Sequence, residues 1–158
     1  MQYYDAEQEK SYTPYVIETS IGLDRMFLAV FSASLQEDEL ENGSRIVMRI
    51  PSVLAPYKAA ILQLVKKDGL PELARSLYDE LKFEFQMAFD EKDAIGKRYR
   101  RQDAIGTPLC ITVDHQSLED GTVTLRDRDS MSQKRVHRNE LSLIIKEIAS
   151  MESLLKKV

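Results

Sequence analysis

Ala59-Ala60-Ile61-Leu62-Gln63-Leu64-Val65 is a near-continuous apolar run that stops at Lys66-Lys67-Asp68-Gly69. So short a run with one polar member predicts a strand buried on both faces, as in a sheet covered by helices. Downstream, Pro71 stands at a first helical position, where its missing N–H is harmless. Leu73, Leu77 and Leu81 recur every four residues and predict an amphipathic helix to about Lys82. Phe83, Phe85, Met87 and Phe89 alternate with Glu84, Gln86 and Ala88, the period of a strand. Residues 94–106 offer few strong apolar positions and predict a short helix with loops. Leu109-Cys110-Ile111-Thr112-Val113 is a third buried strand. Asp120-Gly121 turns the chain into Thr122-Val123-Thr124-Leu125-Arg126, with Val123 and Leu125 on one face and Thr122, Thr124 and Arg126 on the other. Gln133 to Val136 is a short edge strand. Asn139 would cap a last helix carrying Leu141, Ile144, Ile148, Met151 and Leu155, with Lys156-Lys157 at its end. This order predicts an α/β fold, a mixed sheet flanked by helices.

Upstream lies a smaller piece. Tyr15-Val16-Ile17-Glu18-Thr19 predicts a strand, and Gly22 opens an apolar helix from Leu23 to about Leu35 with Met26, Phe27, Val30 and Phe31 crowded on one side. Such a helix expects a partner surface that so short a piece cannot supply. The acidic stretch Gln36-Glu37-Asp38-Glu39-Leu40-Glu41-Asn42-Gly43-Ser44 predicts an exposed linker.

Composition bounds what this architecture can do. The chain has 158 residues, 43% hydrophobic and 30% charged, which excludes wholesale disorder and suits one domain with an appendage. The longest apolar stretch, residues 26–31, is too short to span a membrane. The first residues carry neither a basic nor an apolar signal region, and a single cysteine fits a reducing compartment, so a cytoplasmic location is expected. The formal charge of −4 hides an asymmetry. Residues 94–138 hold nine Lys/Arg against six Asp/Glu, so any nucleic-acid contact belongs there.

Three stretches could carry chemistry. In Gly96-Lys97-Arg98-Tyr99-Arg100-Arg101-Gln102-Asp103, clustered cations attract phosphate oxygens and an interleaved aromatic can stack on an unpaired base. A solvated helix face with arginines paired to Asp103 is the alternative. In Thr122-Val123-Thr124-Leu125-Arg126-Asp127-Arg128-Asp129, alternation places Thr122, Thr124, Arg126 and Arg128 together. Arg126 and Arg128 could read base edges, or form an exposed ion-pair ladder. In Glu18-Thr19-Ser20-Ile21-Gly22-Leu23-Asp24-Arg25, a helix start offers N–H groups to an anion, with Arg25 one turn inside, or Asp24 and Arg25 are a surface pair. Cys110 reads as a core residue. His115 and His137 have no ligand-spaced partners, so no metal site is expected. No glycine-rich phosphate loop is present.

Taken in order, these stretches resemble the C-terminal part of bacterial-type dimeric glycyl-tRNA synthetases. Pro14 through Arg25 is similar to that family's third class II motif. Leu54-Ala55-Pro56, Val65-Lys66-Lys67-Asp68-Gly69-Leu70-Pro71, residues 95–103, Ile105-Gly106-Thr107-Pro108 and residues 122–129 follow. The resemblance implies a remnant of the catalytic domain at residues 1–40, a linker at 41–55 and an anticodon-binding domain at 56–158. That domain would be a five-stranded mixed sheet flanked by helices. Glu18, Thr19, Ser20, Ile21 and Gly22 would line the glycine pocket, with Glu18 receiving the ammonium. Gly22, Leu23, Asp24 and Arg25 would contact ATP. Lys97, Arg98, Tyr99, Arg100, Arg101, Glu119, Thr122, Thr124, Arg126 and Arg128 would hold the anticodon arm. Glycine anticodons end in two cytosines, so acceptors are needed as well, and Glu119, Asp127 and Asp129 are the candidates. The implied parent is a homodimer that uses ATP with Mg to activate glycine and charge glycine tRNA. The earlier class II motifs have no match here, so this chain alone is expected to be inactive and to carry no bound cofactor. The alternative is a non-catalytic synthetase-like accessory protein binding other nucleic acid or a protein partner.

Overall fold

The computed structural model describes residues 2–41 and 43–156. A small hairpin, β1 (Tyr3–Asp5) with β2 (Lys10–Tyr12), precedes helix α1 (Leu23–Ser34). Strand β3 (Leu35–Leu40) starts where α1 ends and pairs antiparallel with β4 (Gly43–Met48), from Leu35↔Met48 to Leu40↔Gly43. The acidic stretch is therefore a strand where an exposed linker was expected. The physical reason is charge compensation: the Arg45 and Arg49 guanidinium groups both hold Asp38. Asn42, part of the same expectation, lies outside the described residues.

The main sheet has the order β6-β5-β7-β8-β9. It is built from β5 (Ala59–Gln63), β6 (Met87–Phe89), β7 (Leu109–Val113), β8 (Thr122–Asp127) and β9 (Gln133–His137). β6, β5 and β7 run parallel; β8 and β9 are antiparallel additions. Every residue of β5 and β7 is buried, as the apolar runs predict. The alternation of side chains then divides the core between two faces. Ala59, Ile61, Leu109, Ile111 and Val113 pack with α2 (Leu70–Leu81) and α5 (Leu141–Ile148). Ala60, Leu62 and Cys110 face Ile95 and Tyr99 of α3 (Ile95–Ile105). Gly106 closes α3 at φ +92, and a Cβ there would sit 2.9 Å from Ile50 Cγ2. The position therefore needs glycine for its φ and for the close approach of residues 48–50.

Several elements depart from the sequence expectation. Residues 15–19 form no strand, and Val16 and Ile17 are exposed, because a strand needs a partner to satisfy its backbone. β6 begins only at Met87. The amides of Lys82, Glu84 and Phe85 instead donate to the end of α2, which leaves Phe83 88% exposed. A further helix, α4 (His115–Asp120), was not anticipated. Asp114 and Ser117 form its reciprocal cap, a variant of the usual signature with Ser in place of Glu. The last helical stretch is broken. Asn139 lies inside a 3-10 turn (Arg138–Glu140) rather than capping, and Ser150 caps a separate α6 (Met151–Leu155). Lys157 lies outside the described residues.

Candidate nucleic-acid interface

α3 sorts the basic cluster by helical phase. Arg98 and Gln102, four residues apart, point inward together with Asp103, and all three are buried. Arg98 Nη1 donates to the carbonyls of Gln63 (2.7 Å) and Asp90 (3.3 Å), clamping the ends of two parallel strands. Burial pushes its pKa down. Arg101 is tied to the loop after β6, donating to Asp90 at 2.9 and 3.1 Å and to Asp93 at 2.8 Å. Those carboxylates raise its pKa further. Lys97 and Arg100, one turn apart, remain exposed, and the nearest carboxylate to Arg100 is Asp103 at 3.9 Å.

Arg126 stands on the face that alternation assigns to it, opposite Val123 and Leu125, but α3 covers it there, and Arg128 lies just past the end of β8. Both are only 4% exposed. Arg126 donates to Asp103 through Nη1 and Nη2 at 2.8 and 3.0 Å, with its guanidinium 4.8 Å from the Tyr99 ring centroid. Arg128 grips Asp129 with Nε and Nη2 and donates to the carbonyls of Ile50 and Gly106. Neither is an exposed ladder or a protruding base reader. Arg128 and Arg98 are spent on holding the backbone. Arg126 forms part of the wall of a cavity of about 400 Å³, shared with Gly96, Lys97, Tyr99, Arg100, Met131 and Gln133. The Tyr99 hydroxyl pairs with Thr112 Oγ1 at 2.6 Å, which fixes the ring, and burial raises its pKa.

Next to this cavity, Thr122 and Thr124 are half-buried on β8. They are bridged by a residue the sequence reading passed over, Arg135 of β9. Its Nε donates to Thr122 Oγ1 and its Nη1 to Thr124 Oγ1, both at 3.0 Å, and Nη1 also donates to Asp114. The signal was available: Thr124 and Arg135 are cross-strand partners once the edge strand is registered. Thr122 donates its own hydroxyl proton to Asp120, whereas among the described residues Thr124 accepts from Arg135 and has no acceptor for its own hydroxyl proton. The hydroxyl and backbone N–H of Thr122 help lower the Asp120 pKa to about 2.

Of the acceptor candidates, Asp127 is committed to the β8–β9 turn through Ser130 and the Asp129 amide, and Asp129 is held by Arg128 and Arg49. Glu119 stands exposed on α4. Cys110 is buried and its thiol is pushed up to about 12 by desolvation. Far along the chain, Glu18, Thr19, Ser20, Ile21 and Gly22 run exposed into α1, whose first turn exposes Leu23, Asp24 and Arg25. The structure does not bring these eight residues to the sheet face.

Comparison with known proteins places this geometry. Residues 58–148 match a family model described as Anticodon binding domain. A glycine–tRNA ligase of Borrelia hermsii is 53% identical over 141 residues, 89% of this chain and 32% of the relative. One from Borreliella burgdorferi is 51% identical over 146 residues, 92% and 33% of the two chains. One from Bacillus cereus is 52% identical over 139 residues, 88% and 30%. The chain therefore spans about a third of the length of these relatives. Among solved structures, the RNA binding domain of a threonyl-tRNA synthetase from Cryptosporidium parvum shares the fold with a TM-score of 0.57 at 24% identity, over 63% of this chain and 25% of that one. A prolyl-tRNA synthetase from the same organism, complexed with halofuginone and AMPPNP, aligns with a TM-score of 0.59 at 18% identity, over 70% and 25%.

Proposed function

We propose, from the premise that this chain belongs to the anticodon-binding-domain family, that it grips the anticodon arm of glycine tRNA as the C-terminal part of a glycine–tRNA ligase. The observation that carries the reading is the cavity between α3 and β8, with Tyr99 and Arg126 in its wall and the exposed Lys97 and Arg100 at its side. An unpaired base needs a π-face and a fixed hydrogen-bonding edge, and its flanking phosphates need free cations. Lys97 and Arg100 take the phosphates, Tyr99 and Arg126 wall the base site, and the uncommitted Thr124 hydroxyl proton adds a donor. Glu119 remains the carboxylate able to accept from a cytosine amino group. Arg98, Arg101 and Arg128 support the site from behind.

The domain division at 1–40, 41–55 and 56–158 belongs to the same proposal, amended by the β3–β4 pairing. The whole protein would activate glycine with ATP and Mg and transfer it to tRNA as a homodimer. Glu18 to Gly22 would belong to the glycine pocket and Gly22 to Arg25 to the ATP contact. On this chain those residues are an exposed strip that does not enclose a nucleotide. The chain alone is expected to give no pyrophosphate exchange, and exchange above background with glycine would overturn that expectation.

The test of recognition is binding to a glycine tRNA transcript and to a twin with both anticodon cytosines changed, at one moderate salt concentration. A clear preference for the first is expected. Equal affinity for both transcripts would reduce the site to a basic surface and refute anticodon readout.

A further inference from the structure

α3 is a ridge with a cleft on each flank. The cavity described above lies toward β8. On the other side a groove of about 740 Å³ runs along β6 between α2 and α3, and its walls include Tyr57, Lys66, Arg75, Tyr78, Phe89 and Lys92. Arg75 lies over this wall, its guanidinium carbon 3.9 Å from the Phe89 centroid and 5.7 Å from that of Tyr78. Among the described residues, Arg75, Lys66 and Lys92 have no carboxylate within ion-pair distance. The acids of the groove are engaged: Asp90 accepts from Arg101, and Glu91 accepts from the Gln63 amide at 3.0 Å. Lys66, Arg75, Lys92 and Arg101 against Asp90 and Glu91 leave the walls cationic.

We propose that this groove is a second, sequence-independent RNA contact, in which Lys66, Arg75 and Lys92 take phosphodiester oxygens of the RNA whose loop occupies the opposite flank. The inference rests on the anticodon reading and adds to it that the RNA straddles α3. The geometry suits that partner. β6 and β9 are opposite edges of a five-stranded sheet, roughly 19 Å apart at about 4.8 Å per strand. A guanidinium held over an aromatic ring is pre-organised for pairing with phosphate oxygens, and the two lysines lie on loops that can follow a backbone. Contacts from these three side chains to phosphodiester oxygens position the RNA and carry no sequence information themselves.

The test is a salt titration of RNA binding by the full chain and by the triple variant Lys66→Gln, Arg75→Gln, Lys92→Gln, against the cognate and cytosine-altered transcripts. Loss of three phosphate contacts should flatten the log–log salt slope by about 2. Between about 50 and 200 mM salt, the unaltered chain should then lose roughly twenty-fold more affinity than the variant. The ratio of cognate to altered binding should not change, and Arg75→Lys alone should keep most of the slope. An unchanged slope in a folded variant that still prefers the cognate transcript overturns the groove and leaves anticodon readout standing. A flattened slope where the unaltered chain shows no preference keeps the phosphate contact and removes anticodon readout. Loss of the cognate preference in the variant overturns sequence independence. An acidic partner, probed with polyglutamate, replaces RNA if its binding needs the three side chains and RNA binding does not.

Discussion

Asp103→Ala is the most revealing perturbation of this molecule. The carboxylate is fully buried and accepts from Arg126 at 2.8 and 3.0 Å and from Arg45 Nη1 at 3.1 Å. Arg45 is itself only 3% exposed and comes from β4, so the contact fastens the hairpin onto α3 and β8. Removing one partner of a buried ion pair strands the other, at a cost of about 3–5 kcal/mol. Arg45 keeps Asp38 and the carbonyls of Arg128 and Asp129, so most of the deficit falls on Arg126. With a urea m value of about 2 kcal/mol/M, the unfolding midpoint followed by circular dichroism should drop by roughly 2 M. The double variant Asp103→Leu, Arg126→Met removes both charges and should recover much of that loss, because apolar replacement of a buried pair is often neutral. A midpoint shift worth less than about 1 kcal/mol for Asp103→Ala would refute the assignment of the pair as a clasp. A double variant weaker than Asp103→Ala would refute the stranded-charge argument.

Other consequences follow from the same geometry. Lys97→Ala with Arg100→Ala should weaken binding of all RNAs alike in filter or fluorescence assays while moving stability by no more than about 0.5 kcal/mol, since both are exposed. Gly106→Ala forces a side chain onto φ +92 and against Ile50 and Met48, and should cost about 1–3 kcal/mol in urea unfolding. A neutral result there would mean that the loop gives way. Cys110 should resist iodoacetamide at pH 8 in the folded chain and alkylate rapidly in urea, because burial pushes its thiol up to about 12. Stability should also fall in acid. The Asp38 carboxyl is held low by Arg49, and those of Asp90, Asp114 and Asp129 are held low by Arg101, Arg135 and Arg128 against desolvation. Groups depressed by folding stabilise above the unfolded carboxylate range and lose that contribution as pH falls through their folded values. The urea midpoint should thus hold from pH 7 to about 5 and fall below about 4. A flat profile to pH 2 would contradict those ion pairs.

The sheet was legible because its central strands have nowhere polar to turn. Ala59–Gln63 and Leu109–Val113 are buried on both faces, and unbroken apolar runs have few other uses. Where burial was achieved by polar residues, legibility failed. α3 is poor in apolar core positions by composition, yet Arg98, Gln102 and Asp103 are its inward face. The β3 stretch has the charge of a solvated loop, but its Asp38 is a partner for two arginines that follow it in sequence. Neither pairing can be deduced from periodicity, because a charge counts as exposed until its counter-charge is located. α4 was lost for a different reason. It is short, and its cap uses Ser117 at the position where Glu or Gln marks a helix start.

The same lesson decides which cations can serve RNA. A stretch counted as basic in sequence suggests a field of interchangeable phosphate contacts, but a guanidinium that already holds a carboxylate or carbonyls has little left to offer. Arg45, Arg98, Arg101 and Arg128 are occupied in this way, and Arg126 is half-occupied at the edge of the base cavity. Among the described residues, the two flanks of α3 leave Lys97 and Arg100 on one side and Lys66, Arg75 and Lys92 on the other for a ligand, while Lys134 and Arg138 stand exposed on and just after β9. The two flanks of α3 should therefore set the salt slope for RNA binding at about five contacts, not the nine Lys/Arg of residues 94–138. At about 0.7–0.9 per contact that is a slope near 4, whereas nine contacts would give one above about 6. A measured slope of the larger size would mean that RNA binding opens the internal pairs. In that event Asp103→Ala, which frees Arg126 in advance, should strengthen binding even as it destabilises the fold.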